Sequence, residues 1–165
     1  MGEVRNSKEI GAILTKMAIQ LTKDQDLCRY LYYTDDEPLE LSKNKPDLNG
    51  FDLLNKNILV VPQINSEDFN TASKICFIIP NASISEKNIQ FKSLEVNILV
   101  YVPFKSWILN DMSLRPFAIM GRIEELLKGK RYESLGNIKY YGFTLNSIDD
   151  NMASYLMRFS LDLFN

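Results

Sequence analysis

Acidic side chains form the clusters in this sequence that come nearest to a site of chemistry. Asp35, Asp36 and Glu37 follow one another, and Asp149 and Asp150 form a second group. Carboxylate oxygens bind Ca²⁺ and Mg²⁺, but cation-binding loops alternate their ligands and bend at a glycine. Neither cluster has that spacing. We therefore predict solvent-exposed turns at both places, where aspartate is a common residue.

Histidine is absent from the sequence, and its absence removes most catalytic arrangements. Serine and cysteine nucleophiles usually need a histidine base, and histidine is also the commonest transition-metal ligand. The seven glycines do not form a phosphate-binding loop. We predict no catalytic residue, no cofactor and no metal site. A metal-dependent hydrolase that uses carboxylates alone is the remaining enzymatic alternative, and a metal titration without heat would exclude it.

The composition indicates a single folded domain made in a cytoplasm. Of the 165 residues, 45% are hydrophobic and 24% are charged, as in an average globular protein. The net charge of −2 gives no reason to expect sequence-specific nucleic-acid binding or a membrane surface. No stretch approaches the roughly 20 apolar residues that span a bilayer. Cys28 and Cys76 lie in apolar surroundings, and we predict two buried, reduced thiols.

Two helical regions are predicted, at residues 7–33 and 113–129. Asn6 and Asp24 are both candidate N-caps, so the first region is either one kinked helix or two short ones. The second begins at Ser113 or Asp111, because the following apolar positions recur at helical spacing. Pro116 in its first turn and Gly129 after its last turn suit those positions.

Two antiparallel hairpins are predicted, at residues 74–102 and 137–164. In the first, a short apolar run ends at Pro80, a polar loop occupies residues 81–93, and an alternating strand follows. In the second, residues 149–151 make the turn. The resulting fold is α+β, with a mostly antiparallel sheet of two hairpins flanked by an N-terminal helix and a middle helix.

Residues 34–73 are predicted to form a long irregular arm. Prolines and an Asn-Gly pair argue against regular structure there, with a short strand at residues 58–61 as the exception. The segment is nevertheless too apolar for a solvated linker, since it contains Leu48, Phe51, Leu53 and Leu54. Two interpretations stay open. The arm covers the core of its own domain, or it docks on a neighbouring subunit.

Several stretches resemble small proteins encoded among the structural genes of tailed phages. They are DLCRYLYY at 26–33, ILVYVP at 98–103, LRPFAIMGRIEELLKG at 114–129 and YLMRFSLDLFN at 155–165. The order of elements also resembles phage neck and tail-terminator (tail-completion) proteins, in which a helix-flanked antiparallel sheet forms a ring between tail tube and head. The arm is longer than the simplest members of that family need. The family has no catalytic residues.

The resemblance implies a structural virion protein of the neck or tail that is made in the cytoplasm of the host bacterium. Its expected partners are further copies of itself in a ring, with a hexamer as the expected form, and adjacent tail-tube or head-connector proteins. The residues predicted to contact those partners are Leu48, Phe51, Leu53, Leu54, Ile84, Phe91 and Trp107. The alternative is a monomeric cytosolic adaptor that binds another protein along an edge of its sheet.

Overall fold

The computed structural model describes residues 7–61, 72–84, 91–131 and 136–162. It confirms the predicted α+β class, with three α-helices and one five-stranded sheet in those ranges. None of the helices in the described ranges is long and apolar enough to cross a membrane.

The N-terminal helical region consists of two helices, α1 (Ser7–Thr22) and α2 (Gln25–Tyr32). Asp24 separates them as the predicted N-cap, and its carboxylate accepts a hydrogen bond of 2.8 Å from the Leu27 amide. Asn6, the other predicted cap, lies outside the described residues. The helices bury one face each because their apolar residues recur at helical spacing.

The middle helix, α3, spans Arg115–Leu127. The prediction that it begins at Ser113 or Asp111 is wrong, because its first residue is Arg115 and Leu114 holds the N-cap position without a side-chain cap bond. The Asp111 carboxylate instead accepts hydrogen bonds from the amide and the hydroxyl of Ser113, at 2.9 and 2.6 Å, within a local turn. Gly129 follows the helix with φ of +71°, a conformation that glycine adopts without strain.

The sheet contains β1 (Ile58–Leu59), β2 (Lys74–Ile84), β3 (Phe91–Pro103), β4 (Ile138–Ile148) and β5 (Met152–Asp162). The strand order is β1-β2-β3-β5-β4. Every neighbouring pair is antiparallel except β1 with β2. The two predicted hairpins are therefore joined through β3 and β5 into one sheet, and β4 lies at its edge.

The first hairpin is longer than the sequence predicts. The strand continues through Pro80 to Ile84, which pairs with Phe91, so the predicted polar loop at 81–93 is wrong over most of its length. Proline is tolerated there because β1 pairs only with Ile75 and Cys76, which leaves the rest of β2 without a neighbour on that side among the described strands. A register shift between Ile78 and Asn81 accommodates the proline.

The main core lies between the three helices and one face of the sheet. In β5, Met157, Phe159 and Leu161 point into it, as the alternation of the sequence predicts. In β3 the residues with even numbers from 94 to 102 do the same. A smaller apolar cluster, which includes Cys76 and Leu99, lies on the other face of the sheet.

The described part of the arm, residues 34–61, lies against the helices. It forms a short 3-10 helix at Gly50–Leu53 and then β1, which is shorter than the predicted strand at 58–61. Gly50 packs so closely on the end of α1 that a Cβ atom would stand 1.8 Å from the Thr22 carbonyl oxygen. The rest of the arm, up to residue 71, lies outside the described residues.

Candidate protein-protein interface

The acidic clusters form turns, as predicted. One Asp35 carboxylate oxygen accepts from the Glu37 amide at 2.9 Å and from Lys45 Nζ at 2.5 Å. Partial burial acts to raise the pKa of Asp35, but these hydrogen bonds outweigh it and lower the pKa below its ordinary value. The Asp149 carboxylate accepts from the amides of Asn151 and Met152. Within the described ranges, no group of three potential ligands could hold a metal ion.

Both cysteines are buried and free, as predicted. Burial raises the pKa of each thiol to about 11, with the carboxylate of Asp24 adding to the effect at Cys28. Each thiol therefore keeps its proton at neutral pH, and the reactive thiolate is scarce. These side chains behave as small apolar core residues.

The predicted contact residues of the arm differ in exposure. Leu53 is 2% exposed and belongs to the main core, while Leu48 and Leu54 are half-buried and pack against that core. Phe51 is 56% exposed. The described part of the arm therefore covers its own domain, and Phe51 is the predicted contact residue that it leaves at the surface. The role of all four in subunit contacts stays a prediction.

Arg29 holds the first half of the arm in place. Its guanidinium is buried and donates hydrogen bonds to the carbonyl oxygens of Pro38, Glu40, Lys45 and Pro46. Hydrogen bonds from a charged donor are about twice as strong as neutral ones. A single side chain thus fixes several turns of an irregular segment.

Arg115, at the start of α3, connects the C-terminal end of α2 to the start of the arm. Its side chain is fully buried and donates to the carbonyl oxygens of Ser106, Tyr30, Tyr33 and Asp35. Two of these carbonyls belong to the end of α2, where helix carbonyls lack partners. Arg115 therefore joins α2, the arm and the loop before α3.

The remaining predicted contact residues lie at two separate places. Ile84 and Phe91 pair with each other at the far end of the β2–β3 hairpin, and their side chains lie outside what the structure describes. Trp107 is half-buried between the rings of Phe104 and Tyr155, with centroid distances of 5.3 and 6.4 Å. The structure does not bring these residues together with the arm residues into one surface.

A group of aromatic rings connects Trp107 to the edge of the sheet. Phe117 of α3, Phe143 of β4 and Tyr155 of β5 contact one another, with centroid distances from 5.4 to 5.8 Å. Phe117 and Phe143 are 40% and 44% exposed. We call the linked rings of Phe104, Trp107, Phe117, Phe143 and Tyr155 the aromatic surface.

Apolar exposure continues from the aromatic surface along β4. Leu145 is 51% exposed and Ile148 is also exposed. Residues 140–148 contain no charged residue and no proline, although natural edge strands are usually protected by such residues. Contiguous apolar exposure of this kind marks interaction sites on many soluble proteins.

Local sequence patterns do not predict the aromatic surface. Phe117 belongs to the apolar stripe of a predicted helix and Phe143 to a predicted strand, and both patterns indicate burial. One sequence feature does indicate it, because residues 140–148 carry no charge. An edge strand of a monomer normally includes a charged residue. Which strand lies at the edge depends on the strand order, and local patterns do not contain it.

Comparison with known proteins gives one family. The family model YomW matches residues 24–161, from the N-cap of α2 nearly to the end of β5. The match covers the arm, all of the sheet except the last residue of β5, and the aromatic surface, and it begins after α1. No match to the chain is found among curated proteins.

Proposed function

The chain belongs to the YomW family, and on that premise we propose that it is a ring-forming structural protein of a tailed-phage virion. The family is named after a gene in a phage region of Bacillus, so this is a phage-associated protein. We propose that its position in the virion is the neck or tail, where it acts as a tail terminator or a head-tail joining subunit. This finer assignment rests on the sequence resemblance to neck and tail-terminator proteins.

The observation that carries the proposal is the aromatic surface. Interfaces between proteins are enriched in aromatic residues, and a few such side chains usually supply most of the binding energy. Phe117 and Phe143 are partly exposed and held in place by ring contacts. A partner can therefore bury them without a change in their side-chain conformations. A surface of this kind suits permanent burial against another subunit.

The proposed partners are further copies of the chain and the proteins stacked above and below the ring. We expect a hexamer, with tail-tube or head-connector proteins as neighbours. Each subunit of a closed ring with more than two copies contacts two neighbours, so it requires two contact surfaces. Phe51, exposed on the arm, is the proposed second contact.

Light scattering followed by negative-stain imaging tests the proposal. We expect the purified protein to have a mass that is a multiple of 19.0 kDa and to form closed rings. The mass should stay constant on dilution over the range in which rings are seen. A mass of one chain at every concentration, with no rings on addition of tail-tube protein, would overturn the proposal.

The free edge of β4 favours a second candidate, a monomeric adaptor. An extended peptide can add a strand to an open sheet edge, where the backbone supplies hydrogen bonds and side-chain pockets supply specificity. The adaptor requires a stable monomer that binds an extended segment of another protein. Isotopic labelling and amide chemical shifts distinguish the two candidates, since peptide binding would perturb the residues of β4 in a chain that stays monomeric.

A further inference from the structure

The free edge of β4 is long, and residues 140–148 of the strand carry no charge. The strand has 11 residues and pairs with β5 on one side, while no described strand pairs with its other side. The start of that side is covered, because Ile138 exchanges backbone hydrogen bonds of 2.9 and 3.0 Å with Gly129 and Lys130. From residue 140 to 148, the described residues place no backbone partner there, so the N–H and C=O groups of that stretch can pair with a further strand. The other edge of the sheet differs, because β2 carries Pro80 and is partly covered by β1.

The pairing of β4 with β5 is irregular on both sides of Thr144. The pairing with β5 skips residues between Tyr140 and Phe143, and again between Leu145 and Ser147. The skipped positions include Gly142 and Asn146, which lie equally far before and after Thr144. If two copies of β4 run antiparallel about Thr144, each bulge of one copy lies opposite a bulge of the other. Both strands can then follow the same bend.

The side chains match in the same register. Phe143 of one copy lies opposite Leu145 of the second copy, and both are exposed and apolar on the helix side of the sheet. Directly opposite apolar pairs of this kind stabilise antiparallel strands. The pair extends the aromatic surface of one copy into that of the other, because Phe143 contacts Phe117.

Charge also distinguishes this register from a parallel one. Antiparallel pairing about Thr144 places Lys139 of each copy opposite Asp149 of the other, whereas parallel pairing in register would place like charges together. Lys139 already binds Asp162 at 2.6 Å, and Asp149 binds amides of its own turn. These residues therefore contribute opposite charges at the two ends of the paired strands, without a new ion pair.

We propose that the free edge of β4 pairs with the β4 edge of a second copy of this chain, antiparallel and centred on Thr144. The contact is isologous, so it produces a dimer with two-fold symmetry and a continuous sheet across both copies. The inference rests on the proposed self-association and assigns its first contact. Joining such dimers through a second contact, assigned to Phe51, closes a ring of dihedral symmetry.

A cysteine at the symmetry centre tests this register directly. Residues opposite each other in antiparallel strands have Cα atoms about 4.5 to 5.5 Å apart, which lies within the range that a disulfide spans. Thr144 is exposed, so Thr144→Cys should fold, and the native Cys28 and Cys76 are buried and unreactive. Thr15→Cys, the same change at an exposed position of α1, is the matched control. Diamide serves as the oxidant.

We expect Thr144→Cys to form a covalent dimer roughly 100-fold faster than the control, because pairing raises the effective concentration of the two thiols. Adding Leu145→Lys to Thr144→Cys should return the rate to that of the control. Equal rates for Thr144→Cys and Thr15→Cys would overturn the inference. If the wild-type chain were still multimeric in that case, the proposed ring would stand on other surfaces, and a monomer would remove both.

Discussion

The arm and the edge of the sheet are both rich in apolar residues, yet they use them differently. In the described part of the arm, Leu53 lies in the core and Leu48 and Leu54 pack against it. The exposed apolar side chains are spread along the segment, at Leu39, Leu41, Phe51 and Val61. Along β4 and the aromatic surface, the exposed apolar side chains are contiguous. Single exposed apolar residues are normal on any protein, whereas a contiguous group indicates a partner.

The difference shows that hydrogen bonds hold the irregular arm against its own domain, whereas the edge of β4 is left open to a partner. The arm is fixed mainly by Arg29, whose buried guanidinium binds four of its backbone carbonyl oxygens, while Arg115 binds the carbonyl oxygen of Asp35 at its start. Each guanidinium has donors that the arm satisfies, so the arm gains a defined course without a strand or helix. Along residues 140–148, no described backbone group pairs with the outer side of β4, which leaves that stretch for another strand.

The largest expected effect on stability is that of Arg115→Met. The substitution leaves the carbonyl oxygens that Arg115 binds without a donor in a buried place, which should cost about 3 to 5 kcal/mol. Urea unfolding measures this change. Arg158→Met, at an exposed position of β5, is the control and should change the free energy of unfolding by no more than about 0.5 kcal/mol. Equal losses would show that Arg115 does not hold the arm.

Leu53→Ala should also destabilise the chain strongly, by about 2 to 5 kcal/mol, because it leaves a cavity in the core. Phe51→Ala, only two positions away, removes an exposed ring and should cost less than about 1 kcal/mol in the single chain. Thermal unfolding at a concentration where the chain is monomeric compares the two. The comparison between inward and outward residues of the arm fails if Phe51→Ala is as costly as Leu53→Ala.

Acid should loosen the arm and leave the edge of the sheet unchanged. The pKa of Asp35 is lower in the folded chain than its ordinary value of 3.8, so its stabilising contribution is present above that value and is lost as pH falls below it. The pair with Lys45 is partly exposed, and the loss should be below about 1 kcal/mol. Hydrogen exchange measures how far the amides near Asp35 are protected at acid pH relative to neutral pH. The wild type should lose more of this protection on acidification than Asp35→Asn does. Residues 140–148 contain no carboxyl group and should show no such change.

Local patterns in the sequence predict the regular elements well. The alternation of β5, the N-cap at Asp24, the position of Gly129 just after α3, and the buried thiols agree with the structure. The course of the arm could not be predicted, because Arg29 and Arg115 bind carbonyl oxygens that every residue type provides. The continuation of β2 beyond Pro80 depends on its position near an edge, and the exposure of Phe143 depends on the strand order.

The central claim is that the chain associates through the edge of β4, and the solution mass of Leu145→Lys tests it most directly. The matched control is Leu41→Lys, the same change at an exposed leucine of the arm. We expect Leu145→Lys to lower the mass measured by light scattering, Leu41→Lys to keep that of the wild type, and Phe51→Asp to stop assembly at the dimer. Leu145→Lys with the full wild-type mass would contradict the claim.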